Sequence, residues 1–277
     1  MNEAPTERRP SSSRRVTFMV LSFIFGAAAL GGLLGIGIVI GWFDNELGGI
    51  HRVHDIGFGV TYGILVATAF FALMSELGRR ASILWQVAAV ALAVIVASLV
   101  STDFDYVVLG ISLVVALAIL VALVPDRRRA LADGLDVSPV LGGFVLVSAI
   151  PLLRAALTWA SYQRDGSPVD PHVAGSHWTT MASMALALLL ASALASARLP
   201  GWRFTAWCTA VGLAAYGIAS IVFARFPGTG SPYPGSEGVS WGIVCVLAGV
   251  VFALLTEWEA RREAPIRREA TARPPVD

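Results

Sequence analysis

The sequence has no lysine, only two cysteines and four histidines, and a charged fraction of 14%. A soluble domain carries about 25% charge, whereas here 56% of residues are apolar and the mean hydropathy is +0.71. So little charge excludes a soluble enzyme and an intrinsically disordered chain. A net charge of +1 sets up no field that would draw the chain to nucleic acid, so no nucleic-acid partner is expected. Two cysteines cannot build a disulfide scaffold or a zinc motif of the Cys-x-x-Cys kind. Cys208 and Cys245 each fall inside an apolar run. Their depths differ by about 10–15 Å at helical rise, beyond the reach of about 7 Å that a disulfide allows, so both read as core thiols. All 20 basic residues are arginine. With the abundant alanine and valine, this points to GC-rich coding and a bacterial source, which concerns codons and not function.

What the chain does have is long uncharged apolar runs. Runs of about 20 residues mark helices that cross a bilayer. Eight are read, at 17–41, 56–77, 81–100, 106–124, 138–160, 177–197, 204–224 and 239–258. The fold class expected is therefore an all-α, polytopic integral membrane protein with eight transmembrane helices. The first run follows Arg14 and Arg15, but it is longer than the roughly 7–15 residues of a signal-peptide core and is kept as a span. Residues 1–16 and 259–277, rich in Arg, Glu, Pro and Ser, are expected to be disordered arms flanking a transmembrane domain at 17–258.

Arginine sets the orientation. Sixteen of the 20 fall in the N-terminus, the loops at 78–81, 125–137 and 198–203, and the C-terminus; the other four are Arg52, Arg154, Arg164 and Arg225. The positive-inside rule then places both termini in the cytoplasm, in a cell (plasma) membrane. Trp42, Trp159, Trp178 and Trp241 fall near the outer ends of spans, and Trp85, Trp202, Trp207 and Trp258 near the inner ends, as an interfacial belt would. Membrane lipids are the expected surroundings, with other membrane subunits or a second copy as candidate partners.

Eight spans invite a search for two halves. Sliding the second half back by 123 residues places His177 on His54, Gly201 on Gly78 and Arg203 on Arg80. That suggests a parallel repeat of four plus four helices, with halves at 17–124 and 138–258 and a pseudo-twofold axis along the membrane normal. Gly31-x-x-x-Gly35 and Gly37-x-x-x-Gly41 in the first span read as close-packing positions.

The residues with chemistry gather on the outer side. His51-Arg52-Val53-His54-Asp55 opens the second span, and a helix starting near residue 50 would put His51, His54 and Asp55 on one face. Ser101-Thr102-Asp103-Phe104-Asp105 links the third and fourth spans with two carboxylates. Asp170-Pro171-His172 reads as a helix start, and His177-Trp178 enters the sixth span. His54, His177, Asp55, Asp103 and Asp105 form a candidate metal site, with His51, Asp170 and His172 as secondary candidates. Two imidazoles and a carboxylate suit a divalent first-row ion such as zinc. Arg154 lies in the fifth span, about 9 Å from its outer end at helical rise, where an arginine requires an anion or a water-filled cavity.

A metal-bound water could attack an ester of a lipid-linked substrate whose headgroup Arg154 holds. The order of His and Asp-x-Asp resembles that of membrane-bound metal-dependent hydrolases with Pro-Asp-x-Asp-His and His-Arg-x-x-Thr-His-Ser. Here Thr102 stands in place of the proline, Tyr106 follows Asp105, and the second motif is missing beside His172, so no family is assigned. Three other functions fit: a transporter for a small or anionic solute, a bis-histidine haem protein for electron transfer, and a non-catalytic membrane subunit or assembly partner whose histidines titrate near neutrality.

Overall fold

The computed structural model describes residues 12–32, 35–44, 50–75, 81–124, 135–166, 175–225 and 232–272. Among these the chain is all helix, with no strand. Eight helices are long and apolar enough to cross a membrane: α1 (Ser12–Ile40), α2 (Arg52–Leu73), α3 (Ala81–Val100), α4 (Phe104–Leu123), α5 (Pro139–Asp165), α6 (His177–Ser196), α7 (Trp202–Val222) and α8 (Gly238–Ala272). The protein is therefore a multi-pass α-helical membrane protein. Of the two arms read from composition, residues 1–11 and 273–277 lie outside the described residues, while α1 already begins at Ser12 and α8 runs on to Ala272. That last stretch is rich in Glu, Ala and Arg, which favour helix, and also holds Pro265.

The helices form two layers. α2, α3, α6 and α7 are mostly buried and make the centre, while α1, α4, α5 and α8 lie outside with most of their surface exposed. α1 packs on α2, α3 on α4, α5 on α6 and α7 on α8, and at the centre α3 meets α6, α2 meets α7, and α2 meets α6.

Glycine sets how closely some of these helices approach. α2 is wound as a π-helix over Gly59–Ala67, and Gly59 and Gly63 face α1. A Cβ on Gly59 would fall 2.0 Å from the Ile38 backbone nitrogen, and one on Gly63 would fall 2.4 Å from the Gly35 carbonyl oxygen. Gly35 and Gly37 of α1 and Gly41 just after it are in the contact as the spacing suggested, whereas Gly31 faces open space. α7 and α8 cross the same way, with Gly217 and Gly242 each backed onto the other's carbonyl.

The arginine-bearing end is tied by ions. Arg198, which follows α6, donates Nη1 to Glu259 Oε2 of α8 at 2.8 Å and Nε to the Asp136 carbonyl at 3.0 Å. Arg203 and the Trp207 indole of α7 both donate to Glu257, at 2.8 and 2.9 Å. At the same end Ser82 Oγ and Thr205 Oγ1 are hydrogen bonded at 2.7 Å between α3 and α7.

The tryptophan belt is only partly as expected. Trp85, Trp207 and Trp258 are exposed. Trp159, Trp178 and Trp202 are buried in the bundle instead of facing lipid, and the first two belong to the histidine end. The two cysteines are free and buried.

Candidate functional site

Three histidines meet at one end of the bundle. α2 starts at Arg52, so His51 stands just before it and His54 lies one turn in, on the side that faces α6. His177 is the first residue of α6, entered through Gly175 and Ser176, both with positive φ. The His51 and His177 ring centroids are 4.6 Å apart and nearly edge to face, and those of His54 and His177 are 4.9 Å apart. His54 is wholly buried, while His51 and His177 are half-buried. Trp178 packs edge-on against His54 at 4.8 Å and in turn against Tyr162 of α5 at 5.0 Å.

A turn between α7 and α8 covers the cluster. Tyr233, Pro234, Gly235 and Ser236 are all buried. The Ser236 amide donates to the Tyr233 carbonyl at 2.9 Å, Tyr216 Oη donates to the Gly235 carbonyl at 2.9 Å, and Ser236 Oγ donates to the Ser220 carbonyl at 3.1 Å. Gly235 has φ +81°, and a Cβ there would fall 2.9 Å from His54 Cδ2. Glycine is thus demanded twice, by the backbone conformation and by the approach to the ring. Trp159 Nε1 donates to Glu237 Oε1 at 3.0 Å, fixing the start of α8 to α5.

Beside the histidines runs a polar network that single-helix spacing could not reveal, because its members come from α2, α4, α5 and α6. Tyr62 Oη of α2 donates to Tyr106 Oη of α4 at 2.7 Å, and Thr180 Oγ1 of α6 lies 2.8 Å from the same oxygen. Thr179 Oγ1 donates to Asp103 Oδ2 at 2.8 Å, and the Thr179 amide donates to Gln163 Oε1 at 3.3 Å. Buried hydroxyls satisfied across helices tie a membrane bundle together.

Among the described residues, the expected carboxylates are not gathered with the histidines into a metal-ligand set. Asp55 follows His54 directly, but its Cβ is on the side of α2 that faces Gly41 of α1. Asp103 stands just before α4, and its side chain accepts from Thr179 rather than capping the helix. Asp105 is exposed in the first turn of α4. Asp170 and His172 lie outside the described residues. Among the described residues, no three His, Cys, Asp or Glu side chains are arranged to hold a metal ion. Arg154 is exposed on the outer surface of α5 and is not brought to Asp55 or Asp103.

Comparison with known proteins gives no match: no family model, no curated protein and no solved structure is similar to this chain.

Proposed function

We propose that this is a non-catalytic membrane protein that takes up a divalent first-row metal ion between the imidazoles of His54 and His177, with His51 beside them. The observation that carries the reading is the contact of three rings from two helices, with centroids 4.6 and 4.9 Å apart. The lone pair of a neutral imidazole nitrogen is a ligand for such an ion, and protons compete for it. A divalent ion would be held by two imidazoles and complete its shell with water or an incoming ligand.

The hydrolase reading loses its parts, since Asp103 is engaged by Thr179, Asp105 points to solvent, and Arg154 is elsewhere. Haem is not favoured either, because rings already in contact leave no slot between them for a macrocycle.

The site lies where the two four-helix halves of a parallel repeat would meet. Two contacts at opposite ends of the molecule support that repeat. His54 touches His177, and Ser82 bonds Thr205, each pair being 123 residues apart, the same offset that aligns the halves. Equivalent residues touch only on a twofold axis. The layering agrees, since the second and third helices of each half are central and the first and fourth are outside.

The arginine distribution supports a histidine end facing out of the cytoplasm, in the plasma membrane. A reporter that is active only outside the cytoplasm, fused after Gly166, is expected to be active. Cytoplasmic activity would reverse the orientation.

Thermal unfolding in detergent tests the site. Zinc is expected to raise the wild-type Tm, by the equivalent of about 2.7 kcal/mol at a hundredfold excess over Kd. Acidification from about pH 7.5 to 5.5 is expected to lower it, because a charged ring would be buried against two others. Both responses should vanish in the His54→Gln/His177→Gln variant. A wild-type Tm indifferent to zinc would overturn the reading.

A further inference from the structure

Arg154 lies deeper than its sequence position suggested, and it faces outward. The bond from the Thr179 amide to Gln163 puts residue 163 level with the first turn of α6. α6 has 20 residues, about 30 Å of helix, and Arg154 lies nine residues down α5 from Gln163, about 14 Å lower. Adding the two residues of α6 that precede Thr179, about 3 Å, brings Arg154 to about the middle of the span. The aromatic stretch around Trp159 looked like the outer end of this helix, but α5 continues to Asp165. From the midplane an arginine side chain cannot reach headgroups about 15 Å away.

The surroundings of Arg154 are a face and not a cavity. Gly143, Val147, Ile150, Arg154 and Leu157 recur at alternating steps of four and three, the row that one helix presents to another. Val147 and Ile150 are 77% and 76% exposed, and neighbouring Leu146 is 75% exposed, more than any other large apolar side chain within the described spans. Nothing stands within 4 Å of a Cβ built on Gly143, so the row begins with room for close approach. Among the described residues, Arg154 makes no ion pair or hydrogen bond. A charge in hydrocarbon that is not met inside its own bundle demands a counter-charge from outside.

We infer that this face of α5 docks a different membrane protein, through a transmembrane helix carrying a carboxylate at mid-depth opposite Arg154. A second copy of this chain does not supply that group. Counting α8 over its apolar stretch Gly238–Arg262, the acidic residues of the eight spans are Asp55, Asp105, Asp165, Glu257 and Glu259, and all lie near the span ends.

The test uses the full-length protein in phosphatidylcholine vesicles. The probes are two synthetic polyleucine transmembrane peptides, one with a central glutamate and one with a central leucine, and association is read by fluorescence energy transfer. The glutamate peptide is expected to bind about tenfold more tightly than the leucine peptide, and the difference should disappear in Arg154→Leu. That variant removes no internal contact, so the protein should stay folded. Equal binding of the two peptides would overturn the inference. A difference that survives Arg154→Leu would also overturn it. So would Arg154-dependent pairing between labelled copies of the protein with no preference for the glutamate peptide.

Discussion

Replacing Gly59 with leucine is expected to abolish folded protein, and even Gly59→Ala should cost at or above the upper end of the roughly 1–3 kcal/mol typical of overpacking. The reason is what a side chain would meet. A Cβ at Gly59 lies 2.0 Å from the Ile38 nitrogen and 2.4 Å from its Cα, so backbone and not a pliable side chain blocks it. Relief requires α1 and α2 to separate, and that breaks the neighbouring approaches at Gly37, Gly41 and Gly63 together. The effect should reach the site, because this crossing seats the helix that carries His54. Gly142→Ala is the control, since nothing lies within 4 Å of its Cβ and helix propensity favours the change. Size-exclusion profiles and Tm in detergent should separate the two. A monodisperse Gly59→Leu protein with the wild-type Tm would show that the α1–α2 contact is not as described.

Arg198→Ala is expected to destabilise by about 3–5 kcal/mol, the range for removing one partner of a buried ion pair. Glu259 is 5% exposed and Arg198 is its partner, so the substitution leaves a carboxylate buried at the end of α6. The bond to Asp136 adds little, because the Asp136 side chain is 68% exposed. Arg198 also holds φ +47°, a strained conformation for a residue with a Cβ. Arg198→Gly should therefore lose less than Arg198→Ala, by about 1–2 kcal/mol. If the two variants melt together, backbone strain plays no part. If neither differs from wild type, the ion pair does not hold α8.

The helices were legible in the sequence because bilayer thickness requires long apolar runs, and interruptions by Arg, Pro and Gly are cheap to see. His54 and His177 were legible as candidates because each enters a span. Their meeting was visible only through the 123-residue offset, and His51 joins them although its position suggested a lesser role. What failed was side-chain direction. The spacing of His54 and Asp55 puts them on adjacent sides of α2, and which side faces which neighbour is decided by the glycine crossing with α1. Trp159 and Trp178 looked interfacial by depth alone, whereas hydrogen bonding and ring packing pull them inward. Arg154 lies deeper than the aromatic residues of α5 imply, because a helix end in lipid is set by its neighbours and not by its aromatics. The cover at Gly235 had no local signal beyond a Pro-Gly pair.

The central claim is that His54 and His177 form one site, and a double-mutant cycle on zinc binding tests it most directly. Calorimetry would be run on the wild type, His54→Gln, His177→Gln and the double variant in the same detergent. One shared site predicts that each single variant loses as much zinc affinity as the double variant, a strongly non-additive cycle. Losses that simply add, or a single variant that keeps wild-type affinity, would mean that the two rings touch without acting together, and the account would be wrong.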